Sequence, residues 1–191
     1  MRHLKFGKLL LFTAAVALLG VISACQVLPL SQDPPRTTYQ GDEFSLRYPA
    51  AWQPLQGRKP VLCGQPTVDC LLALGTSDQD GSNLTLNRYL LLEDVSLAQV
   101  DEYRWNQFTT GTEGVILTSR EDLEVDGLPA VKRVINAPGS NSGAGRSHYL
   151  TVALVKDSWY YQFTGWSPSE KALQAHEADF MEVINSLHFT R

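Results

Sequence analysis

The chain has 191 residues, 43% of them hydrophobic and 19% charged, which suits one globular domain with a tail. Of its 16 Lys and Arg, three (Arg2, Lys5 and Lys8) precede Cys25; without them 13 basic residues face 20 acidic ones, a net charge of −7. An acidic balance with no Lys/Arg cluster excludes nucleic acid as a partner and excludes adhesion to anionic lipid by charge alone.

Arg2, Lys5 and Lys8 form a positive start, and residues 9–22 are almost entirely apolar. A run of about 14 is short for a membrane-spanning helix, which needs roughly 20 apolar residues, and has the length of a secretory core segment. An uncleaved anchor helix is the alternative. The run closes on Val21-Ile22-Ser23-Ala24-Cys25, an aliphatic residue and two small ones before a cysteine. This resembles the bacterial lipoprotein signal, with residues 1–24 as signal peptide. The resemblance implies that Cys25 becomes an acylated N-terminus held in the lipid bilayer. Each buried methylene contributes about 0.8 kcal/mol, so two or three chains anchor firmly where one does not. Gln26 in place of Asp implies the outer membrane, facing the periplasm, in a two-membrane cell; a one-membrane cell would display the protein at its surface. Residues 25–41 carry Pro29, Pro34 and Pro35 among polar neighbours and are expected to form a flexible tether.

The domain is expected over residues 42–191. Phe44, Leu46 and Tyr48 alternate with polar residues as in a half-buried strand that ends at Pro49. Residues 71–74 and 83–92 continue a meander across a turn at Asp80-Gly81. Ser96 and Gln99 make a capping box for a helix to about Thr109, with Leu97, Val100, Tyr103, Arg104 and Phe108 as its inner stripe. Strands follow at 115–125, 130–135, 149–155 and 159–163, with turns at Asp126-Gly127 and Lys156-Asp157. Ser167-Pro168-Ser169-Glu170 offers a helix start, with proline at the first helical position. Leu173, His176, Phe180, Val183, Ile184 and Leu187 then form one apolar stripe. This order predicts an α+β fold, one antiparallel sheet with helices packed on it.

The opening segment, Phe44-Ser45-Leu46-Arg47-Tyr48-Pro49-Ala50-Ala51-Trp52, resembles the first strand of the PsbP-like proteins. The Asp126-Gly127-Leu128-Pro129-Ala130 hairpin and an ending near Ser186-Leu187-His188-Phe189 agree with it. The resemblance covers residues 41–189 and implies an α-β-α sandwich. It carries packing positions and no catalytic ones. It implies an accessory or assembly factor binding a membrane or surface protein complex; a small-ligand or lipid-binding lipoprotein is the alternative. The resemblance includes photosystem II accessory proteins, but nothing here ties the source to photosynthesis.

No residue pattern points to catalysis or to a cofactor. No serine sits in a nucleophile elbow, and Gly139, Gly143 and Gly145 do not open a helix as a dinucleotide loop would. Asp78, Asp80 and Asn83 surround Gly81 without the closing Glu of a calcium loop, so a solvated turn is expected. His148, His176 and His188 read as isolated residues and not as a joint metal site. Trp105 lies off the expected inner stripe of its helix and is the candidate for partner contact, with core packing as its alternative. Cys63 and Cys70 enclose a Gly- and Pro-containing loop and are expected to form a disulfide contributing roughly 2–3 kcal/mol. Free thiols, or redox or metal chemistry, are the alternatives. In the exported protein both cysteines should resist alkylation until reductant is added; labelling of either without reductant would remove the bridge.

Overall fold

The computed structural model describes residues 34–55, 69–139 and 145–190. Cys25, Cys63 and the signal segment lie outside them. Ten strands and two helices occur in the order β1 (Arg36–Gln40), β2 (Phe44–Pro49), β3 (Gln53–Pro54), β4 (Asp69–Gly75), β5 (Asn83–Leu90), α1 (Leu97–Gly111), β6 (Ile116–Val125), β7 (Leu128–Pro138), β8 (Arg146–Lys156), β9 (Trp159–Ser167), α2 (Glu170–Asn185) and β10 (His188–Phe189). The fold is α+β, as the residue pattern implies. Its strands form two antiparallel sheets and not one. Seven make a main sheet in the order β3-β4-β5-β9-β8-β7-β6, and β2 is flanked by β1 and β10 in a separate three-stranded sheet.

β1 corrects the tether. Residues Arg36–Gln40 pair in register with Ser45–Pro49, so the segment with proline stops at Pro35 and the domain begins there. Thr37, Thr38 and Tyr39 supply the β-branched and aromatic character a strand needs. The hairpin between β6 and β7 follows from its turn residues. Val125 pairs with Leu128 across a two-residue loop in which Asp126 and Gly127 have φ of 51° and 75°. Two successive positive φ values are what a type I′ turn requires, and Asp-Gly tolerates them.

Both helix starts rest on serine. Ser96 accepts from the Gln99 backbone N–H while its own N–H donates to Gln99 Oε1 at 2.9 Å, so the expected capping box is present. α2 is capped by Ser169, whose hydroxyl accepts from the Ala172 N–H, and not by Ser167. Ser167 is fully buried at the end of β9, where its Oγ meets that of Ser82 at 2.9 Å. The strand therefore runs to Ser167, and Pro168 lies in the bend that links it to the helix.

The apolar core fills one side of the main sheet. Leu150, Val152 and Leu154 of β8 and Tyr161 and Phe163 of β9 meet Leu173, Phe180, Val183 and Ile184 of α2. Phe44, Leu46 and Tyr48 of the small sheet join the same cluster, with Trp52 edge-on to Phe180 at 5.7 Å. Arg88 ties the sheets together from the rim, bridging Glu43 and Asp69 beneath the Trp159 ring. Phe180 lies directly on Gly165, where an added Cβ would come within 2.6 Å of its ring. Gly165→Ala is expected to lower stability by about 1–3 kcal/mol through overpacking, measured by urea unfolding; an unchanged midpoint would show that the ring can move aside.

Candidate functional site

The strands that carry the core show a different chemistry on their other side. Strand side chains alternate, so each Leu or Val of the core leaves a neighbour on the opposite face. In β8 those neighbours are Tyr149, Thr151 and Ala153; in β9 they are Tyr160, Gln162 and Thr164; in β5 they are Thr85 and Asn87. α1 lies across this face because it connects β5, near one edge, to β6 at the other. The two helices thus sit on opposite faces, an α-β-α arrangement.

α1 does not meet the sheet through the stripe that its sequence suggests. Of that stripe Arg104 and the partly exposed Phe108 reach the sheet side, whereas Tyr103 is 61% exposed, and the single buried residue of the helix is Asp101. The inward face is Asp101, Arg104, Trp105 and Phe108, one turn of spacing around from the expected centre. The reason is Arg133, which stands 5% exposed on β7 and ion-pairs with Asp101. A buried guanidinium must be neutralised, so it draws the one acid within reach of that face inward. Trp105, the candidate for partner contact, comes with it: its ring lies 5.4 Å from the Arg133 guanidinium carbon. Arg104 lies over Tyr89 at 3.9 Å and has no carboxylate partner among the described residues.

Between α1 and the sheet these side chains enclose a cavity of about 210 Å³. Trp105, Phe108, Tyr149 and Tyr160 supply its apolar surface, and Thr151, Gln162 and Thr164 its polar floor. Burial pushes the Tyr160 phenol far up, with Asp101 adding to the effect, so the hydroxyl stays protonated. The Nε of Arg133 is buried without an acceptor among the described residues.

A second cluster stands on the core side. His176 is 5% exposed on α2, one turn before Phe180, and its Nε2 lies 3.2 Å from Asp80 Oδ2 and 3.4 Å from Asp78 Oδ2. One oxygen of Asp80 also accepts from the Ser82 N–H at 2.8 Å. The solvated turn and the isolated histidine of the sequence reading are therefore one constellation, and these three could share a divalent cation. Both aspartates precede Gly81, whose φ of 83° lets the turn fold back toward α2. His188 is engaged elsewhere, 3.0 Å from Asp126, whose other oxygen accepts from the Phe189 N–H at 2.8 Å. Cys70 stands in β4, and its expected partner Cys63 lies outside the described residues. Gly139 N–H donates to Gly145 O across the β7–β8 connection, which fits a hairpin end.

No known protein family matches the chain, and no curated protein matches it either. Solved structures do. The chain is similar to cyanobacterial PsbP (CyanoP) of Synechocystis sp. PCC 6803, with 17% identity over 83% of this chain and 95% of that one, at a TM-score of 0.58. The fold is PsbP-like. It is shared with LpqN of Mycobacterium tuberculosis, described as involved in cell envelope biogenesis (12% identity, 82% and 91% covered, TM-score 0.56). It is shared also with the Ran-binding protein Mog1p of Saccharomyces cerevisiae (9% identity, 82% and 96% covered, TM-score 0.55). At these identities the likeness is one of fold.

The aspartates of the PsbP-like domain set its acid limit. Burial raises Asp80, but hydrogen bonds from Ser82 and the charge of His176 outweigh it and hold the carboxyl below its ordinary value. At Asp126 burial is likewise outweighed, by the Phe189 N–H, His188 and Lys156. A carboxylate depressed in the folded state stabilises above its unfolded value and loses that contribution as pH falls through the folded one. Stability should therefore hold at neutral pH and fall off below about pH 4. Asp80→Asn and Asp126→Asn should each flatten that decline in acid-unfolding curves. An unchanged slope in both would contradict the assignment.

Proposed function

We propose that the chain is a non-catalytic lipoprotein, anchored through acylated Cys25 on the extracytoplasmic face of a bacterial membrane, that serves as an accessory factor of a membrane or surface protein complex. What supports the docking role is where the exposed apolar side chains fall. Among the described residues the large ones are Leu90, Leu92, Tyr103, Phe108, Ile116 and Leu117, all within one crossover from the end of β5 through α1 to the start of β6. Leu92 is 91% exposed. Scattered exposed leucines are ordinary, but confinement to one segment is the pattern of a contact surface. The fold agrees, since PsbP-like neighbours include a protein whose name records a binding partner, Mog1p. A Cys63–Cys70 bridge, part of the same reading, would fasten the segment before β4.

The cavity beneath α1 favours a second reading, a ligand-binding lipoprotein, and one domain can combine the two roles.

Anchor and docking separate experimentally. Cys25→Ser should move the protein from the membrane to the soluble fraction, and persistent membrane retention would refute acylation. A photo-crosslinker at Leu92 or Tyr103 in intact cells should capture one predominant membrane-complex subunit. Leu92→Ser with Tyr103→Ser should abolish capture by a crosslinker placed at Phe108. Labelling of many unrelated proteins in proportion to their abundance would refute the docking role.

A further inference from the structure

The two faces of the main sheet were free to be equally apolar, since both are covered by a helix. On the α2 side they are: Leu150, Val152 and Leu154 pack without a polar atom among their side chains. On the α1 side the same strands present Thr151, Gln162 and Thr164, and the helix answers with Asp101 and Arg104. Packing alone does not select this, because a buried ion pair is often no better for stability than apolar residues of the same volume.

Among the described residues lining the cavity, the unpaired buried side-chain atom is a donor; Asn87 Oδ1, the unpaired acceptor on this face, lies outside the lining. Asp101 neutralises Arg133, and Arg133 Nε still lacks an acceptor among the described residues while only 5% exposed. Arg104 is held in place over the Tyr89 ring with no carboxylate to meet it among the described residues. Two guanidinium groups and one carboxylate leave the cavity wall with one excess positive charge. Guanidinium forks match carboxylates in geometry and form the stronger class of hydrogen bond. Trp105 and Tyr160 beside them add aromatic carbon to the lining.

Size narrows the ligand further. A cavity of about 150 Å³ holds benzene, and the 210 Å³ here leaves room for one ring with a small substituent. We propose that this cavity is a binding site for a compact organic carboxylate with one ring or an equivalent branched body, its anionic end directed to Arg104 and Arg133 and its apolar end against Trp105. The assignment rests on the ligand-binding reading and deepens it; it shares Phe108 with the proposed docking surface and is tested separately from it.

The test uses the purified protein with benzoate and phenylacetate as probes and benzamide and benzyl alcohol as neutral counterparts. Calorimetry should give saturable binding of at least one acid with a dissociation constant below about 1 mM. The neutral compounds should bind at least about tenfold more weakly. Arg104→Gln, at a partly exposed helical position that tolerates Gln, should weaken the acid by about tenfold and leave the thermal midpoint unchanged. Backbone amide shifts on titration should concentrate in α1, β8 and β9. Equal binding of acids and neutral compounds in this cavity would overturn the anion assignment while leaving a ligand site. No binding there by any of the four, or full affinity in the Arg104→Gln variant, would overturn the proposal as well, the first removing the site itself.

Discussion

The seat of Phe180 on Gly165 sets the position of α2. Because β9 offers no Cβ at that point, the helix approaches the strand until the ring rests on backbone. Close packing then brings Leu173, Val183 and Ile184 into the same core and places Trp52 edge-on against the ring. The turn before, at His176, is carried to the Asp78–Asp80 loop. The residues after the helix reach β2, where His188 and Phe189 complete the small sheet. A single contact between one aromatic and one glycine therefore aligns a helix, a titratable cluster and a second sheet.

α1 has no comparable seat. Its buried residue is a carboxylate, and its contacts with the sheet pass through two arginines and a tryptophan. Area-based hydrophobic stabilisation is accordingly concentrated in α2, while α1 is held by electrostatics and aromatic contacts around a space. Local stability is lowest where apolar contacts are fewest, so of the two helices α1 is expected to open at the lower cost. The domain divides its labour between faces: one side folds the protein, and the other is left with chemistry to spend on molecules that it meets.

The residue pattern announces β2 and β4 to β9, both helices and the α2 stripe because each depends on local spacing, while β1 and the two-residue strands β3 and β10 carry no such spacing. Phe44, Leu46 and Tyr48 announce a buried face, and Asp126-Gly127 announces its turn. Partnership between distant strands is not local, and so β2 was expected in the main sheet although it pairs with β1 and β10. The same limit hid the site. Thr151, Gln162 and Thr164 alternate with apolar residues, which in one sequence cannot be told from a face turned to water; only the crossover of α1 reveals that it is covered. Arg133 looks like any strand arginine until Asp101, 32 positions earlier, is seen beside it. Trp105 was read off-centre because Leu97, Tyr103 and Phe108 outweigh Asp101 on any hydropathy count. His176 was placed on the buried stripe correctly, but its two carboxylates lie almost a hundred residues away.

β6 closes one edge of the main sheet and is exposed along nearly its whole length. Ten residues of unpaired backbone would invite a strand from a neighbouring molecule. Its middle reads Arg120-Glu121-Asp122, with Glu124 beyond, and a bulge between Leu117 and Ser119 breaks the regular spacing. Charged side chains along an edge strand, and a bulge within it, both oppose the addition of another strand. An edge with these features is harder for the sheet of a neighbouring molecule to extend.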